Sequence, residues 1–436
     1  MPTPTIADYL KYANLQMAAE AFIRDEKTKL LASAGQPLID ALVAGNNHAS
    51  KFTASEANKF AADWEVLDQC ANTPTGFSGT LFRNRTTNEL VMSFRSTEFI
   101  DDAVRDNLAT NTDEIKNTGW AWGQISDMED WYDKLKKDPK LLGDKPFSVT
   151  GYSLGGHLAA AFNLLHPDSA LQQVVTFNGA GVGKITSGTL QDALKTFNDL
   201  RRDYTKIEDR FTDPNLAAKY TDIRSHLADN SWTIEDALRS LQPVPLDQPI
   251  SDDANKVISA LKEIKELKDQ VARVAALKAG GTGPDANQGP KAVSDALIAA
   301  EDIDYRMAVK FAAEKTASAN LVLGVIQAYG QKEDYLGKGN VKPNQFDVVG
   351  DTSPSAVSNS QWHLGTDIRI FIEDQPLFRG GILKSVVDAS LDYGSIQLLV
   401  DGYAKKNFGD THSLVLLVDS LNLHTRGQSR FFAELN

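Results

Sequence analysis

Apolar positions recur along this chain with two different periods, and the changes of period divide it. From Ile6 to about residue 26, and in shorter stretches near 37–44 and 54–62, apolar residues return every three or four positions. That spacing predicts amphipathic helices. The period then shortens to two. "WEVLDQCAN" from Trp64, "GFSGTLFRN" from Gly76 and "ELVMSF" from Glu89 read as strands, and "NTPT" and "RTTN" between them read as turns. "QISDMEDWYDKLKKD" from Gln124 returns to the helical period. "KPFSVT" from Lys145 is strand-like, and "QQVVTFNGAGVG" from Gln172 is a further strand ending in small residues. Strands alternating with helices over residues 64–184 predict an α/β architecture, with helices flanking a sheet.

The alternation stops there. From about 186 to 338 strand signal is almost absent, and the segments are helix-like and rich in Ala, Leu, Lys, Asp and Glu. In "SDDANKVISALKEIKELKDQVARVAALKAGG", Val257, Leu261, Ile264, Leu267, Val271, Val274 and Leu277 form one stripe. Ser251 or an adjacent Asp is placed to cap its start, and Gly280-Gly281 to end it. A second helix is expected over roughly 291–315, paired with the first. Strand-like text resumes at "NQFDVVGD" from Asn344 and "DIRIFIED" from Asp367. The predicted organisation is a first part of the core with N-terminal helices over 1–185, a helical insertion over 186–340, and a second part of the core over 341–436. "GGTGPD" matches the opening of a calcium-binding nonapeptide repeat, but it occurs once, and such repeats must stack to bury a core.

Composition narrows the function classes. Of 436 residues, 42% are hydrophobic and 24% charged, an ordinary balance for a soluble globular chain. Lys plus Arg number 45 against 58 Asp plus Glu, a formal charge of −13, so there is no basic footprint for nucleic acid. The same charge disfavours attraction to an anionic membrane surface, leaving transient apolar contact with lipid interfaces as the route to a lipid substrate. Cys70 is the only cysteine, which excludes an intrachain disulfide, and it is expected to be a buried, inert thiol. "MPTPTIADYLKYANLQMAAEAF" has no basic region followed by an apolar core, so no cleavable secretory signal is visible. No run has the apolar length of a membrane-spanning helix. A soluble chain is expected, with a signal-independent route of export left open and no protein partner indicated.

The candidate chemistry sits where a strand-like run turns into a helix-like one. Gly151-Tyr152-Ser153-Leu154-Gly155 is a Gly-x-Ser-x-Gly pentapeptide between "FSVT" and "GGHLAAAF". In a nucleophile elbow the serine projects from a sharp turn, glycines give clearance, and the helix N-terminus aims backbone N–H groups at developing negative charge. Ser153 is therefore the expected nucleophile, the Leu154 N–H an oxyanion donor, and Gly156 the point where the helix packs closely on the sheet. A serine hydroxyl needs a base, and in this fold class the acid and then the histidine follow the serine in the chain. The histidines after the elbow are His157, His166, His226, His363, His412 and His424. His157 lies on the elbow helix, with a surface or supporting role expected. His166 stands at a helix end before Pro167, and His226 lies in the helical stretch. Of the remaining three, His412 opens an apolar helix from the polar loop "NFGDTH" and is the preferred base, ahead of His363 and His424. For the acid, Asp351 follows Val348-Val349-Gly350 at a strand end and is preferred over Asp347, inside that strand, and Asp410, beside His412.

These residues carry a family resemblance. "GYSLGGHLA" resembles the nucleophile motif of the class 3 lipase family of α/β-hydrolases, and "LVMSFRSTE" resembles that family's strand ending in Phe-Arg-Gly-Thr. "TGFSGTLFRN" and "WAWGQISDMEDWYDKL" are similar to its bacterial branch. The resemblance covers roughly 64–184 and, more loosely, 342–436, and leaves the insertion uncovered. It implies an α/β-hydrolase fold with a mostly parallel central sheet, into which the periodicity places the large all-helical insertion. It implies Thr97 as the second oxyanion donor, with Ser96 standing where the family has glycine. Asp351 matches its strand-end aspartate and His412 its terminal histidine segment. The activity implied is hydrolysis of fatty-acyl esters by a lipase or phospholipase, through an acyl-enzyme and with neither cofactor nor metal. The partner implied is a lipid or other ester substrate. A small-ester esterase, an acyltransferase on the same triad, a toxin-like secreted phospholipase, or a binding protein docking through the insertion are the competing readings. The insertion itself reads as a lid or a docking arm.

Overall fold

A computed structural model of the chain describes residues 5–25, 28–46, 51–96, 110, 114–167, 169–242, 249–280, 302–317, 345–349 and 366–368, with Leu414, Val418, Leu421 and Asn422. Three helices open it: α1 (Ile6–Glu20), α2 (Gly35–Ala44) and α3 (Ala54–Asp63). Thr5 with Asp8, and Thr53 with Glu56, form reciprocal capping boxes that satisfy the first N–H groups of α1 and α3. Strands β1 (Trp64–Cys70), β2 (Gly79–Asn84) and β3 (Leu90–Phe94) follow as an antiparallel meander. Next come α4 (Lys116–Thr118), α5 (Trp122–Lys137), β4 (Phe147–Tyr152), α6 (Leu154–Leu165) and β5 (Leu171–Phe177).

The stretch after β5 is helical, as its period predicts: α7 (Leu190–Arg202), α8 (Thr205–Glu208), α9 (Pro214–Ala228), α10 (Ile234–Ser240), α11 (Asp252–Gly280) and α12 (Ile303–Ala313). The α11 helix is described as far as Gly280, with the expected stop at Gly281 outside the described residues, and Ser251 Oγ accepts from Ala254 N–H at 3.2 Å at its start. One departure is a short antiparallel pair, β6 (Lys184–Ile185) with β7 (Thr316–Ala317), which pins the two ends of this helical stretch together. Its two-residue strands are too short to carry a period. The sheet then resumes with β8 (Gln345–Val349) and β9 (Thr366–Ile368).

Among the described residues, seven strands form the main sheet in the order β1-β2-β3-β4-β5-β8-β9. Pairing is antiparallel through β3 and parallel from β3 onward, with Phe94 opposite Gly151 and Phe177 opposite Val349. This is an α/β fold with a mixed, mostly parallel sheet. The strands alternate faces as a period of two requires. Leu81, Leu90, Met92, Val149 and Val174 point into a core shared with α5, α6 and the helices after β5. Phe82, Val91, Val175 and Phe177 point the other way, against α1, α2, α3 and the buried Leu414, Val418 and Leu421. Those last three are helical and spaced four and three apart, one face of the apolar helix expected after His412.

The α1 helix stops at Glu20, short of the 26 its period suggests, because a tertiary partner intervenes. Ile23 and Arg24 N–H groups donate to the Gln69 side-chain oxygen of β1, at 2.9 and 2.7 Å, in place of continuing the helical ladder. No described helix is long and apolar enough to cross a membrane.

Candidate active site

Ser153 occupies the single residue between β4 and α6. Its φ is 52° and its ψ −116°, a conformation a serine adopts only where its surroundings impose it. The imposition is visible. Ser153 N–H donates to Phe177 O at 3.1 Å, and Ser153 O accepts from Ala180 N–H at 2.9 Å and Gly156 N–H at 3.0 Å. The turn is thereby fastened to the end of β5 and to the loop beyond it.

Close approach explains the glycines. A Cβ at Gly151 would overlap the Gly155 carbonyl, and a Cβ at Gly155 would overlap the carbonyl of Phe94, so α6 starts directly against the ends of β3 and β4. Gly156 in turn lies against Gly179. Leu154 and Gly155 are the first residues of a twelve-residue helix, whose opening N–H groups have no acceptor within the helix. The partial positive charge of that terminus is thus presented beside Ser153.

The described histidines after the elbow are each engaged in structure. His157, expected at the surface or in support, is fully buried. Its Nδ1–H donates to Gly181 O at 2.7 Å and its Nε2 accepts from Ala121 N–H at 3.1 Å, which requires the neutral ring. Burial pulls its pKa down to about 4. It ties α6 to the segment before α5 and to the loop after β5. His166 faces Glu129, with Nε2 2.9 Å from both carboxylate oxygens, and packs on Tyr132 and Phe162. His226 stacks on Trp232 at 4.4 Å and bonds the Ser231 hydroxyl at 2.7 Å. His412, His363, His424, Asp351, Asp410 and Thr97 lie outside the described residues. Asp347 lies within β8, opposite Val175 and Thr366.

Two placements bear on them. The β8 strand is the neighbour of β5, itself the neighbour of β4, so the strand that runs toward Asp351 is two positions from the elbow strand. The Tyr152 hydroxyl, one residue before Ser153, is hydrogen-bonded to the backbone of Leu414, two residues after His412 in the chain.

Sequence reasoning passed over one group at the elbow. Glu20, the last residue of α1, is fully buried. Its Oε1 accepts from Ser96 N–H at 3.0 Å and its Oε2 from Ser96 Oγ at 2.9 Å. Ser96 is not among the described residues with positive φ, and its hydroxyl makes the second contact to the carboxylate. Cys70 is partly buried, and burial with Asp68 nearby pushes its thiol up to about 11, so it stays protonated at neutral pH. Among the described residues, no group of three or more His, Cys, Asp or Glu is placed to hold a metal ion.

No protein-family model matches the chain, and no curated protein does. Solved structures with partial likeness include a triacylglycerol lipase from Penicillium expansum, at 16% identity and TM-score 0.24, covering 41% of this chain and 61% of that one. Another is the Lip2 lipase from Yarrowia lipolytica, at 17% identity and TM-score 0.24, covering 40% of this chain and 58% of that one. The chain thus spans less than two thirds of either. Both come from fungi and lend nothing to the bacterial-branch resemblance. By its own sheet order and strand–turn–helix elbow, the chain has an α/β fold with a mixed, mostly parallel sheet, and Ser153 stands at the elbow.

Proposed function

We propose that this chain is a serine carboxylic-ester hydrolase that cleaves fatty-acyl esters, as a lipase or phospholipase. The observation that carries the reading is Ser153 itself, a strained serine held at the mouth of a helix by glycines that leave no room for a Cβ. A backbone stressed in this way, at a cost of roughly 1–3 kcal/mol, persists where it serves a site.

In this reading Ser153 Oγ attacks the ester carbonyl while His412 takes its proton. The tetrahedral oxyanion is held by the N–H groups of Leu154 and Thr97. His412 then returns the proton to the departing alcohol, leaving an acyl-enzyme. Water, deprotonated by the same histidine, attacks the acyl carbonyl and releases the fatty acid and free Ser153. Asp351 holds the imidazole in its productive tautomer and stabilises its cation. Three observations support the assignment. The tie from Tyr152 to Leu414 joins the elbow to the segment that His412 opens. The β8 strand runs toward Asp351 beside β5. His157, His166 and His226 are committed to other partners. The helices between β5 and β8 share their apolar faces with the sheet core, which favours a fixed wall for the acyl chain over a hinged lid.

Hydrolysis of p-nitrophenyl esters of increasing acyl length tests this. Wild type should turn over, with preference rising toward long chains, and Ser153→Ala should lose about four to six orders of magnitude in kcat. Preference for the shortest ester would replace the lipase reading with a small-ester esterase. Equal turnover by the alanine variant would remove Ser153 from the mechanism.

A further inference from the structure

The end of β3 is gripped by α1 in a way a plain strand end does not require. Gln16 and Glu20 lie one helical turn apart, both fully buried. Gln16 Nε2 donates to Phe94 O at 3.0 Å and to Glu20 Oε1 at 2.7 Å, while its Oε1 accepts from Ser93 Oγ at 2.7 Å. Glu20 takes both donors of Ser96. The guanidinium of Arg95 donates to Ala19 O and Ala21 O, each at 3.2 Å, and to Asn72 Oδ1 at 3.2 Å. Four consecutive residues, Ser93 to Ser96, are thus tied to the last turn of α1 and its exit.

A carboxylate buried this completely costs free energy that an apolar residue or a glutamine would not. The grip also has a particular address. The Phe94 carbonyl lies against Gly155 at the start of α6, and the charge of Glu20 acts on Tyr152, the residue before Ser153. We infer that Glu20 is a positioning residue of the hydrolase proposed above: its carboxylate fixes Ser96 N–H and Oγ, and so sets the oxyanion side of the elbow. This rests on that reading of Ser153. It also accounts for the serine at position 96, whose hydroxyl supplies the second contact to the carboxylate.

The charged and titratable groups that act on this pair are Arg95 at the end of β3 and Tyr152 at the end of β4. Burial raises the Glu20 carboxyl to about 7, against the pull of Arg95 and the hydrogen bonds of Ser96 and Gln16. Below that pH the carboxyl is protonated, loses acceptor capacity for the N–H and O–H groups aimed at it, and loses its attraction to Arg95.

The test uses the full chain as wild type, Glu20→Gln, Ser96→Ala and Ser153→Ala. Phosphonylation of Ser153 by a fluorophosphonate, read by intact mass, and hydrolysis of a short p-nitrophenyl ester are followed from about pH 5 to about pH 9, with thermal melts alongside. Glu20→Gln should melt no lower than wild type at about pH 8. It should react at least about tenfold more slowly with KM changed less than about twofold, and its rate profile should keep the ionisation of the histidine base and lose that of Glu20 near pH 7. Ser96→Ala should slow about threefold and keep that ionisation. Wild-type rates and an unchanged profile in Glu20→Gln would overturn the role of Glu20 and leave the hydrolase reading standing. Should Glu20→Gln fail to fold, Ser96→Ala decides by the same readouts, slowing in favour and wild-type behaviour against. A wild type neither phosphonylated at Ser153 nor hydrolytic would overturn the hydrolase reading first, and the role of Glu20 with it.

Discussion

Two buried titratable side chains flank the elbow with proton affinities displaced in opposite directions. Glu20 is raised to about 7 from 4.5, and His157 lowered to about 4 from 6.5, each chiefly by burial. At about 1.4 kcal/mol per tenfold change in proton affinity, each displacement is worth roughly 3 kcal/mol. Linkage fixes the signs. The Glu20 contribution to stability is fully present below about pH 4.5 and is lost as pH rises through about 7. The His157 contribution is fully present above about pH 6.5 and is lost as pH falls through about 4. In the wild type the two offset each other across the mildly acid range, and single variants should separate them. Relative to wild type, Glu20→Gln gains stability from about pH 4.5 to about 7, by roughly 3 kcal/mol in all. His157→Gln, lower throughout for its disturbed contacts, should regain on wild type as pH falls from about 6.5 to about 4. Urea unfolding at a series of pH values reads both differences, and pH-independent differences would contradict the burial of charge at these positions.

At the scale of elements, the Tyr152 side chain joins the end of β4 to the described part of the C-terminal helical segment. The Tyr152 hydroxyl is hydrogen-bonded to the backbone of Leu414, and burial raises it well above the usual tyrosine value. Tyr152→Phe keeps the ring in the apolar layer and removes that bond, at a cost of about 1 kcal/mol. Backbone amides around Leu414 should then exchange hydrogen roughly fivefold faster, with those of α2 unchanged. Equal acceleration in α2 would mean that the bond serves the whole core and not this junction. Apart from the short β6–β7 pair, the existence of the main elements was legible in the chain. The shift of period from four to two found β1 to β3, and the glycines around Ser153 located the elbow. The missed features depend on distant partners. The end of α1 is set by Gln69, far along the chain, and Glu20 meets Ser96 across a separation of 76 residues. One missed feature did leave a local mark. The α6 sequence LGGHLAAAFNLL has no polar face, so a histidine in it belongs to the interior.

Among the described residues two apolar layers cover the main sheet, one on each face. On one face, Phe197 of α7, Tyr220 of α9, Val257 of α11 and Met307 of α12 belong to the same cluster as Phe77, Trp122 and Leu154. Polar ties reinforce it. Tyr305 donates to the buried Glu114 at 2.7 Å, Arg201 pairs with Asp127 at 3.0 Å, and Ser126 donates to Asn198 at 2.5 Å. A lid or docking arm appended to a finished domain would bury its own apolar face or leave it to a partner. Here the sheet and α5 supply the other half. Replacing residues 190–313 with a short Gly-Ser linker should therefore strip the cover from Trp122 and Leu154. The product should lose its cooperative thermal transition and bind a hydrophobic dye, as collapsed chains without fixed packing do. A trimmed protein that still melted cooperatively and hydrolysed short esters at the wild-type rate would make the helical segment a detachable accessory. Loss of both would place it in the folding unit that holds Ser153 at its strained turn.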